Sequence, residues 1–288
     1  MGSSPMTIRE FIAATSVEQA VSALTDHAGA SLLAGATWTM RARLRGEDLP
    51  ETIVSISGIA ELGEIQIGVD RLSIGACVTH AGLAVALAAS GEFQGLADAA
   101  RQSANPAVRS MATVGGNLCT HDFAAADLVP ALLCLDAMVE YRSAQGVVVI
   151  GLEEFLQMRM TLGPGLVTGV SVPRGKFRSA HARLPLRKAG DYPVAIVSVK
   201  ADRHPDGTFH EVHIAVGSVE PAARRWYALE NAIEGRALAP SHMGAMAGEI
   251  SKGFSGRDGI EAPGWYRVQV LPVLVRRAFE DLCQQGGN

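Results

Sequence analysis

Two small-residue segments, each tied to a predicted strand or helix, constrain the fold of this chain more than any other feature. The first, Leu33-Ala34-Gly35-Ala36-Thr37-Trp38, follows a strand-like run at 31–34 and precedes a helix-like run at 40–44. A loop without bulky side chains lets backbone N–H groups approach an anion, as they do in nests and at helix starts. Taken alone, this segment fits a tight turn leaving a strand better than it fits an anion site.

The second segment covers residues 109–118 and contains the run Thr113-Val114-Gly115-Gly116-Asn117. Paired glycines expose N–H groups, and the flanking hydroxyl and amide add further donors, so the run offers the groups that bind a diphosphate. Two such segments in one chain favour phosphate binding over two unrelated turns. Arg109, at the start of this segment, fits either a surface cation or a structural or phosphate-binding role.

Asp127 stands directly before a helix-like apolar run at 128–135, with Pro130 inside the first turn. One interpretation is a helix N-cap, a position where aspartate is common and which a proline often follows. The other is a contact with the ribose of a bound nucleotide. The residues themselves leave both interpretations open.

Several motifs of other nucleotide, metal and nucleophile sites are missing from the sequence. There is no Gly-x-Gly-x-x-Gly and no Gly-x-x-x-x-Gly-Lys-Ser/Thr, which argues against a Rossmann site and a P-loop. The four cysteines include no Cys-x-x-Cys pair, which argues against zinc and iron–sulfur sites. His210 and His213 are three apart on a predicted strand and face opposite sides. Ser255 lacks the spacing of a nucleophile elbow. We therefore expect no catalytic nucleophile and no metal site in this chain.

Charge and hydropathy limit the partners and the location of the protein. The formal net charge is -4 and no cluster of Lys and Arg is present, so neither nucleic acid nor an anionic membrane is an expected partner. No apolar run approaches the ~18 residues of a membrane span. The first residues lack the basic start and apolar run of a signal peptide. We interpret the protein as cytoplasmic.

Local patterns predict mixed α and β structure without a regular βαβ series. Ser16, three residues before Gln19, predicts the cap of a helix whose apolar residues repeat at helical spacing. A basic, polar stretch at 173–179 predicts a boundary, followed by a tail of sheet and helices. Further strands are predicted at 52–56, 72–76, 137–141, 147–150, 194–199 and 212–216. Further helices are predicted at 81–89, 222–233, 240–250 and 264–283.

These segments resemble the FAD-binding subunits of molybdenum hydroxylases, which are the medium subunits of carbon monoxide dehydrogenase, quinoline oxidoreductase and xanthine dehydrogenase. The 33–38 loop is similar to the family's first phosphate loop, Ala-Gly-Gly followed by Thr-Asp or His-Ser. Residues 109–117 resemble its second loop, Arg-Asn-x-Ala/Gly-Thr-Ile-Gly-Gly-Asn, which is the more specific of the two. Further family motifs are matched at 74–80, 125–133, 187–192 and 266–278, so the resemblance covers nearly the whole chain.

The resemblance implies FAD with its pyrophosphate on the two loops, Thr79 near the flavin, Asp127 at the ribose and Tyr192 beside the isoalloxazine. Tyr192 fits equally well as an ordinary amphipathic residue at the start of a strand. The predicted cofactor contacts are Leu33, Ala34, Gly35, Ala36, Thr37, Trp38, Thr79, Ala112, Thr113, Gly115, Gly116, Asn117, Asp127, Leu166 and Tyr192.

Several positions depart from the family pattern. Ala36 replaces a usual glycine, so the first loop must keep this residue out of positive φ or distort slightly. Trp38 replaces a short polar residue, and Leu184 stands where many relatives have a flavin-contacting lysine. The stretch between Asn117 and Asp127 is about one residue longer than usual and lacks the customary proline, which weakens the ribose assignment.

The family implies an α+β FAD-binding fold of the vanillyl-alcohol-oxidase/PCMH type. Its subdomains are expected at 1–60 and 61–178, with a C-terminal sheet-and-helix domain at 179–288. It also implies an electron relay, in which non-covalent FAD takes electrons from [2Fe-2S] clusters of a small partner subunit and passes them to an external acceptor. The electrons leave the organic substrate at the molybdenum cofactor of a large subunit, and we expect a dimer of such heterotrimers. The alternatives are a self-contained flavoprotein oxidase and a flavin-free nucleotide-binding scaffold.

Overall fold

The computed structural model describes residues 8–186 and 192–285 of the chain. The strands of this part form three sheets, of three, five and four strands. The three sheets draw their strands from residues 10–55, 65–173 and 178–225, and the domain borders expected after residues 60 and 178 stay a prediction. The mixed α and β structure that the sequence predicts is confirmed. No helix within these two ranges is long and apolar enough to cross a membrane.

The first sheet is parallel, with strand order β1-β3-β2, and the helix α1 connects β1 to β2. The Ser16 hydroxyl accepts the N–H of Gln19 at 3.2 Å, so the predicted helix cap is confirmed. The apolar face of α1 packs in a core that also contains Leu166, far along the chain. The bounds are β1 Glu10–Ala13, α1 Val17–Asp26, β2 Ser31–Leu33 and β3 Thr52–Ser55.

The second sheet is antiparallel throughout, with strand order β4-β5-β8-β6-β7. The chain between β5 and β6 folds into helices that cover this sheet and carry most of its apolar core. The strands are β4 Ile65–Ile67, β5 Arg71–Gly75, β6 Met138–Ser143, β7 Gly146–Gly151 and β8 Gly165–Pro173. The helices are α2 His80–Ala86, α3 Gln94–Gln102, α4 Pro106–Arg109, α5 Val114–Cys119, α6 Leu128–Cys134 and α7 Leu152–Met158.

The third sheet is also antiparallel, with strand order β12-β11-β10-β9. One of its faces packs on the C-terminal helices around a core that includes Phe209, Trp226 and Phe279. The strands are β9 Arg178–Pro185, β10 Pro193–Arg203, β11 Phe209–Gly217 and β12 Arg224–Arg225. The helices are α8 Tyr227–Ile233, α9 Pro240–Ile250, α10 Gly264–Gln269 and α11 Leu271–Gln284.

Each sheet together with the helices that pack on it is called a unit. Asp136, in the turn after α6, joins the second unit to the third. Its carboxylate contacts Lys200 at 2.9 Å, His213 at 3.0 Å and Arg225 at 3.1 Å. Burial raises the pKa of Asp136, but the hydrogen bonds from His213 and Lys200 outweigh it and lower the pKa to about 2. The carboxylate is therefore ionised at neutral pH and bridges the two units.

Two helix predictions in the tail need correction. The predicted 222–233 helix begins only at Tyr227, because the preceding arginines pair with β11 as the short strand β12. The predicted 264–283 helix is two helices that meet at Val270. Pro272 stands in the first turn of α11, and a proline there lacks the N–H that a continuous helix requires.

Candidate functional site

The two small-residue loops meet at Gly35. A β-carbon on Gly35 would lie 1.8 Å from the carbonyl oxygen of Met111 and 3.2 Å from the α-carbon of Ala112. No side chain fits at such a distance, so only glycine allows the loops to approach this closely. The first and second loops are therefore in direct contact in the fold.

The stretch at 76–80 lies between the loops and pairs with the second one. Thr79 and Thr113 form an antiparallel bridge, and the His80 N–H donates to the Ala112 carbonyl at 2.9 Å. The Val114 N–H donates to Val78 in the same way. Predicted contacts from three separate segments are therefore brought together.

Thr79 and Thr113 also cap the helices that follow them. The Thr79 hydroxyl accepts the N–H of Gly82 at 3.1 Å, and the Thr113 hydroxyl accepts that of Gly116 at 3.2 Å. A hydroxyl that accepts a hydrogen bond still has its own proton to donate. The site therefore offers two neighbouring O–H donors.

The expectation that Gly115 and Gly116 present free N–H groups is wrong. The Gly115 N–H donates to the Ala76 carbonyl at 2.8 Å, and the Gly116 N–H is taken by Thr113. The reason is that both glycines lie in the first turn of α5, which packs on the 76–80 stretch. A β-carbon on Gly115 would lie 2.8 Å from that of Ala76, so this glycine serves close packing.

Ala36 has a positive φ, although we expected from the sequence that the loop would either keep this residue out of positive φ or distort slightly. Its φ is +61°, in the left-handed region. That region costs an L-residue other than glycine about 1 kcal/mol or more. The first loop thus keeps the backbone shape of a glycine loop and tolerates the strain.

Asp127 stands at the N-cap position of α6, but the capping role expected of its side chain is wrong. Its backbone is already helical and its side chain makes no capping bond; it pairs with Arg183 of β9 at 2.6 Å. The two side chains are 8% and 5% exposed. Burial raises the pKa of the Asp127 carboxyl, and the Arg183 guanidinium opposes this shift. The ribose contact stays a prediction.

Asn117 performs the capping that was assigned to Asp127. Its side-chain oxygen accepts the N–H of Leu128, the first residue of α6, at 3.1 Å. It thereby ties the second loop to α6. Sequence reasoning missed the partner Arg183 because β9 has no alternating pattern that would have placed this residue opposite α6.

Below the second loop, His80 is buried and its Nδ1 lies 2.7 Å from the Ser103 hydroxyl. That hydroxyl donates to the Ala100 carbonyl, which leaves the ring proton on Nδ1. The opposite nitrogen, Nε2, is buried with no hydrogen-bond partner in the described part of the chain. Burial lowers the pKa of His80 to about 4, so the ring is neutral. Arg109 donates to the carbonyls of Ser103 and Ala104, which gives it a structural role.

A cavity of about 590 Å³ lies between the α1–β2 turn and the start of β8. Leu32, Cys119, Tyr141, Arg159 and Leu166 are among its lining residues. Leu166 itself is only 1% exposed and belongs to the first core. The lining is mixed apolar and polar and includes Leu32 of β2, the strand that precedes the first loop.

The last two predicted contacts, Trp38 and Tyr192, lie on either side of Phe123. The ring centroids of Trp38 and Phe123 are 4.7 Å apart, and those of Phe123 and Tyr192 are 5.4 Å apart. Phe123 was missed because an isolated aromatic residue in a polar loop carries no motif. The rest of the matched Arg-Lys-x-Gly-Asp-Tyr motif, at 187–191, lies outside the described residues.

Within the described ranges, no group of three or more His, Cys, Asp or Glu side chains is arranged to hold a metal ion. Burial raises the pKa of the Cys77 thiol, beside the 76–80 stretch, to about 11, so it is a thiol and not a nucleophilic thiolate. The neighbouring hydroxyls of Thr79 and Thr113 and the close contact at Gly35 suit a nucleotide cofactor. The isoalloxazine of FAD supplies redox chemistry when bound, and the protein positions it.

Comparison with known proteins matches the same regions. Residues 6–175 match the FAD binding domain in molybdopterin dehydrogenase, and residues 180–282 match the CO dehydrogenase flavoprotein C-terminal domain. The 6-hydroxypseudooxynicotine dehydrogenase complex subunit alpha of Paenarthrobacter nicotinovorans is 29% identical, over 94% of this chain and 93% of that protein. The xanthine dehydrogenase FAD-binding subunit of Escherichia coli O157:H7 is 26% identical, over 96% of each chain.

Solved structures agree. A carbon monoxide dehydrogenase chain from Hydrogenophaga pseudoflava superposes with a TM-score of 0.86 at 26% identity, covering 96% of this chain and 97% of that one. Quinoline 2-oxidoreductase from Pseudomonas putida 86 has the same fold, with a TM-score of 0.84 over 96% of each chain. The resemblance seen in the sequence is therefore confirmed, and the chain belongs to the family of FAD-binding subunits of molybdenum hydroxylases, with a C-terminal domain of the carbon monoxide dehydrogenase flavoprotein type.

Proposed function

We propose that this chain is an electron relay that holds FAD non-covalently between the 33–38 loop, the 76–80 stretch and the 112–117 loop. The observation that carries the proposal is the contact of Gly35 with Met111, which brings the two loops of the resemblance to a single point. Because the Gly115 and Gly116 N–H groups are already bonded, the pyrophosphate takes its donors from the first loop and from the hydroxyls of Thr79 and Thr113.

The relay assignment also draws on the chemistry that the described residues lack. They contain no metal-ligand cluster, and the buried groups next to the site are neutral or paired. A site of this kind can orient a flavin but supplies no nucleophile to attack an organic substrate. The relatives are named as dehydrogenase subunits, among them a FAD-binding subunit, which supports a division of labour between chains.

The proposed partners are a large subunit with the molybdenum cofactor and a small subunit with [2Fe-2S] clusters, assembled as a dimer of heterotrimers in the cytoplasm. Electrons enter from the small subunit and leave to an external acceptor. Co-purification from the native host followed by mass spectrometry and metal analysis tests the composition. Recovery of the tagged chain without a molybdenum-containing partner contradicts it.

Acid precipitation of the purified chain tests the mode of FAD binding. We expect free FAD in the supernatant and no flavin in the pellet. Flavin that stays with the pellet contradicts non-covalent binding, and a colourless chain that takes up no added FAD supports the flavin-free scaffold.

Anaerobic reduction tests relay against oxidase. The isolated chain loaded with FAD is mixed with candidate organic substrates of its complex, and the flavin absorption band is followed. We expect no bleaching by these substrates but rapid bleaching by a strong artificial reductant, with transfer onward to an acceptor dye. Rapid bleaching by an organic substrate without partner subunits would support the self-contained oxidase.

A further inference from the structure

Three aromatic side chains, Trp38, Phe123 and Tyr192, meet across the boundaries of the three units; we call them the aromatic bridge. The Trp38 and Phe123 centroids are 4.7 Å apart with the planes tilted by 47°, and Phe123 and Tyr192 are 5.4 Å apart in an edge-to-face arrangement. These are favourable geometries for aromatic pairs. Each ring comes from a different unit, so the bridge connects all three.

The Trp38 end of the bridge is anchored. The Arg45 guanidinium lies 4.1 Å from the centroid of the Trp38 ring, and its Nη1 donates to the Trp38 carbonyl at 2.9 Å. The remaining nitrogens of Arg45 pair with both oxygens of Glu47, at 2.7 and 2.6 Å. The indole is therefore held against the short helix at Thr39–Arg45 and does not depend on the other two rings.

The Phe123 and Tyr192 rings are held less tightly. Phe123 lies in the irregular connection between α5 and α6, and Tyr192 precedes the first residue of β10 and is 40% exposed. Rings on such segments can separate without breaking a sheet or a helix. All three rings are only partly buried or exposed, and neither Trp38 nor Tyr192 belongs to one of the three apolar cores.

The position of the bridge relative to the cofactor loops gives it a role. Trp38 is the last residue of the first loop, and Phe123 follows α5, which begins in the second loop. Tyr192 adds the third unit. The contact of the three rings thus joins the end of the first loop, the chain after α5 and the start of β10. It encloses a cofactor that lies between the two loops.

We propose that the aromatic bridge is a clasp on the FAD site, which must open for FAD to enter or leave and which therefore sets the rate of FAD release. This inference rests on the proposed FAD site. The closed bridge connects the two loops to the start of β10, and breaking its two ring contacts opens the structure only at this point, while the ion pairs of Asp127 and Asp136 keep the units together. Trp38 stays in place when the aromatic bridge opens, and Phe123 and Tyr192 move away from it.

The test measures FAD release from the full-length chain loaded with FAD, as the recovery of free-flavin fluorescence after dilution. Phe123→Leu removes the central ring and both contacts. We expect release to accelerate about tenfold or more, the factor that the loss of two aromatic contacts produces. The melting temperature of the FAD-free chain should change little, because the ring is at the margin of its core.

Conservative and matched variants separate the clasp from general packing. Tyr192→Phe keeps the ring and should accelerate FAD release less than Tyr192→Leu, which removes the ring. Trp265 and Tyr266 form an aromatic pair elsewhere on the surface, with ring centroids 5.7 Å apart. Trp265 is 68% exposed. Trp265→Leu should therefore leave release unchanged.

Each outcome decides a definite question. Wild-type release from Phe123→Leu and Tyr192→Leu would overturn the clasp and leave the FAD site intact. If Phe123→Leu does not fold, Tyr192→Leu carries the test, because its exposed ring can be removed without a cavity. A wild-type chain that contains and binds no FAD would overturn the proposed function itself.

Discussion

The carboxylate of Asp127 and the guanidinium of Arg183 form an ion pair of 2.6 Å that is almost completely buried. It joins the start of α6 to β9, so it connects the FAD-binding part of the chain to the C-terminal sheet. A buried pair of this kind stabilises little compared with an apolar pair, but removing one partner leaves a buried charge without compensation.

We therefore predict that Arg183→Met lowers the free energy of unfolding by about 3 kcal/mol. The double variant Asp127→Asn with Arg183→Met should recover much of that loss, because the buried Asp127 carboxylate is no longer left without the Arg183 charge. Urea unfolding of the FAD-free chains measures both. A single variant as stable as the wild type would mean that the carboxyl is already neutral in the folded protein.

Gly35→Ala should separate the two loops, because a β-carbon at this position collides with the backbone of Met111. We expect the dissociation constant for FAD to rise about tenfold or more, which corresponds to ~1.4 kcal/mol. Gly63→Ala is the matched control, since a β-carbon there meets nothing within 4 Å. The FAD affinity of both variants is measured by titration. Equal affinities would show that the contact between the loops does not contribute to FAD binding.

Ala36→Gly should stabilise the chain, because glycine adopts a φ of +61° without the cost that alanine has there. The expected gain is about 1 kcal/mol in the free energy of unfolding. Ala34→Gly, two residues earlier at a residue without positive φ, should instead destabilise. A loss of stability in Ala36→Gly would show that the loop is not strained in solution.

His80 should make stability fall as the pH decreases from about 6.5 to about 4. Its pKa is lowered from 6.5 in the unfolded chain to about 4 by burial, so only the unfolded chain binds a proton in this window. The loss from this residue reaches roughly 3 kcal/mol. His181 is also buried, with a lowered pKa, and adds a loss of the same sign. Denaturation at several pH values should show that the free energy of unfolding declines less steeply for His80→Gln than for the wild type. Identical slopes would mean that another group takes up the proton.

Asp136 should lower the stability in a more acidic range, where its carboxylate takes up a proton. Its pKa is lowered from 3.8 to about 2, so the stabilisation is complete above about pH 3.8 and disappears as the pH falls towards 2. Because the side chain is 40% exposed, solvent screening reduces the effect to about 1 kcal/mol. Asp136→Asn should lose this stability at neutral pH, whereas Asp48→Asn, at an exposed site, should not. Urea titrations at pH 7 and pH 2.5 measure the difference.

Sequence patterns predicted those parts of the fold whose cause is local. The Ser16 cap acts over three residues. The side chains of β11 alternate between two cores, with Val212, Ile214 and Val216 in one and Ala215 in the other, as the two faces of a strand do. The segments at 33–38 and 109–118 were found because small residues next to a strand or a helix form a local motif. Residue types and spacing were sufficient in each of these cases.

The features that the sequence did not predict depend on distant contacts. Asp127 has the residue type and the position of a cap, and only the approach of Arg183 from β9 draws its side chain away. The N–H group of Gly116 is bonded by Thr113, the cap of α5. The N–H group of Gly115 is bonded by the carbonyl of Ala76, about 40 residues earlier in the chain. The partners of Asp136 are likewise more than 60 residues away. No local pattern contains that information.

The side chain of Leu166 belongs to β8 but completes the core under α1. During synthesis, the N-terminal strands leave the ribosome long before residue 166 is made, so the nascent chain carries an incomplete apolar core through most of the translation of the second unit. The N-terminal core is therefore completed only when β8 has been made. The flavin site, which needs both units, forms no earlier than this.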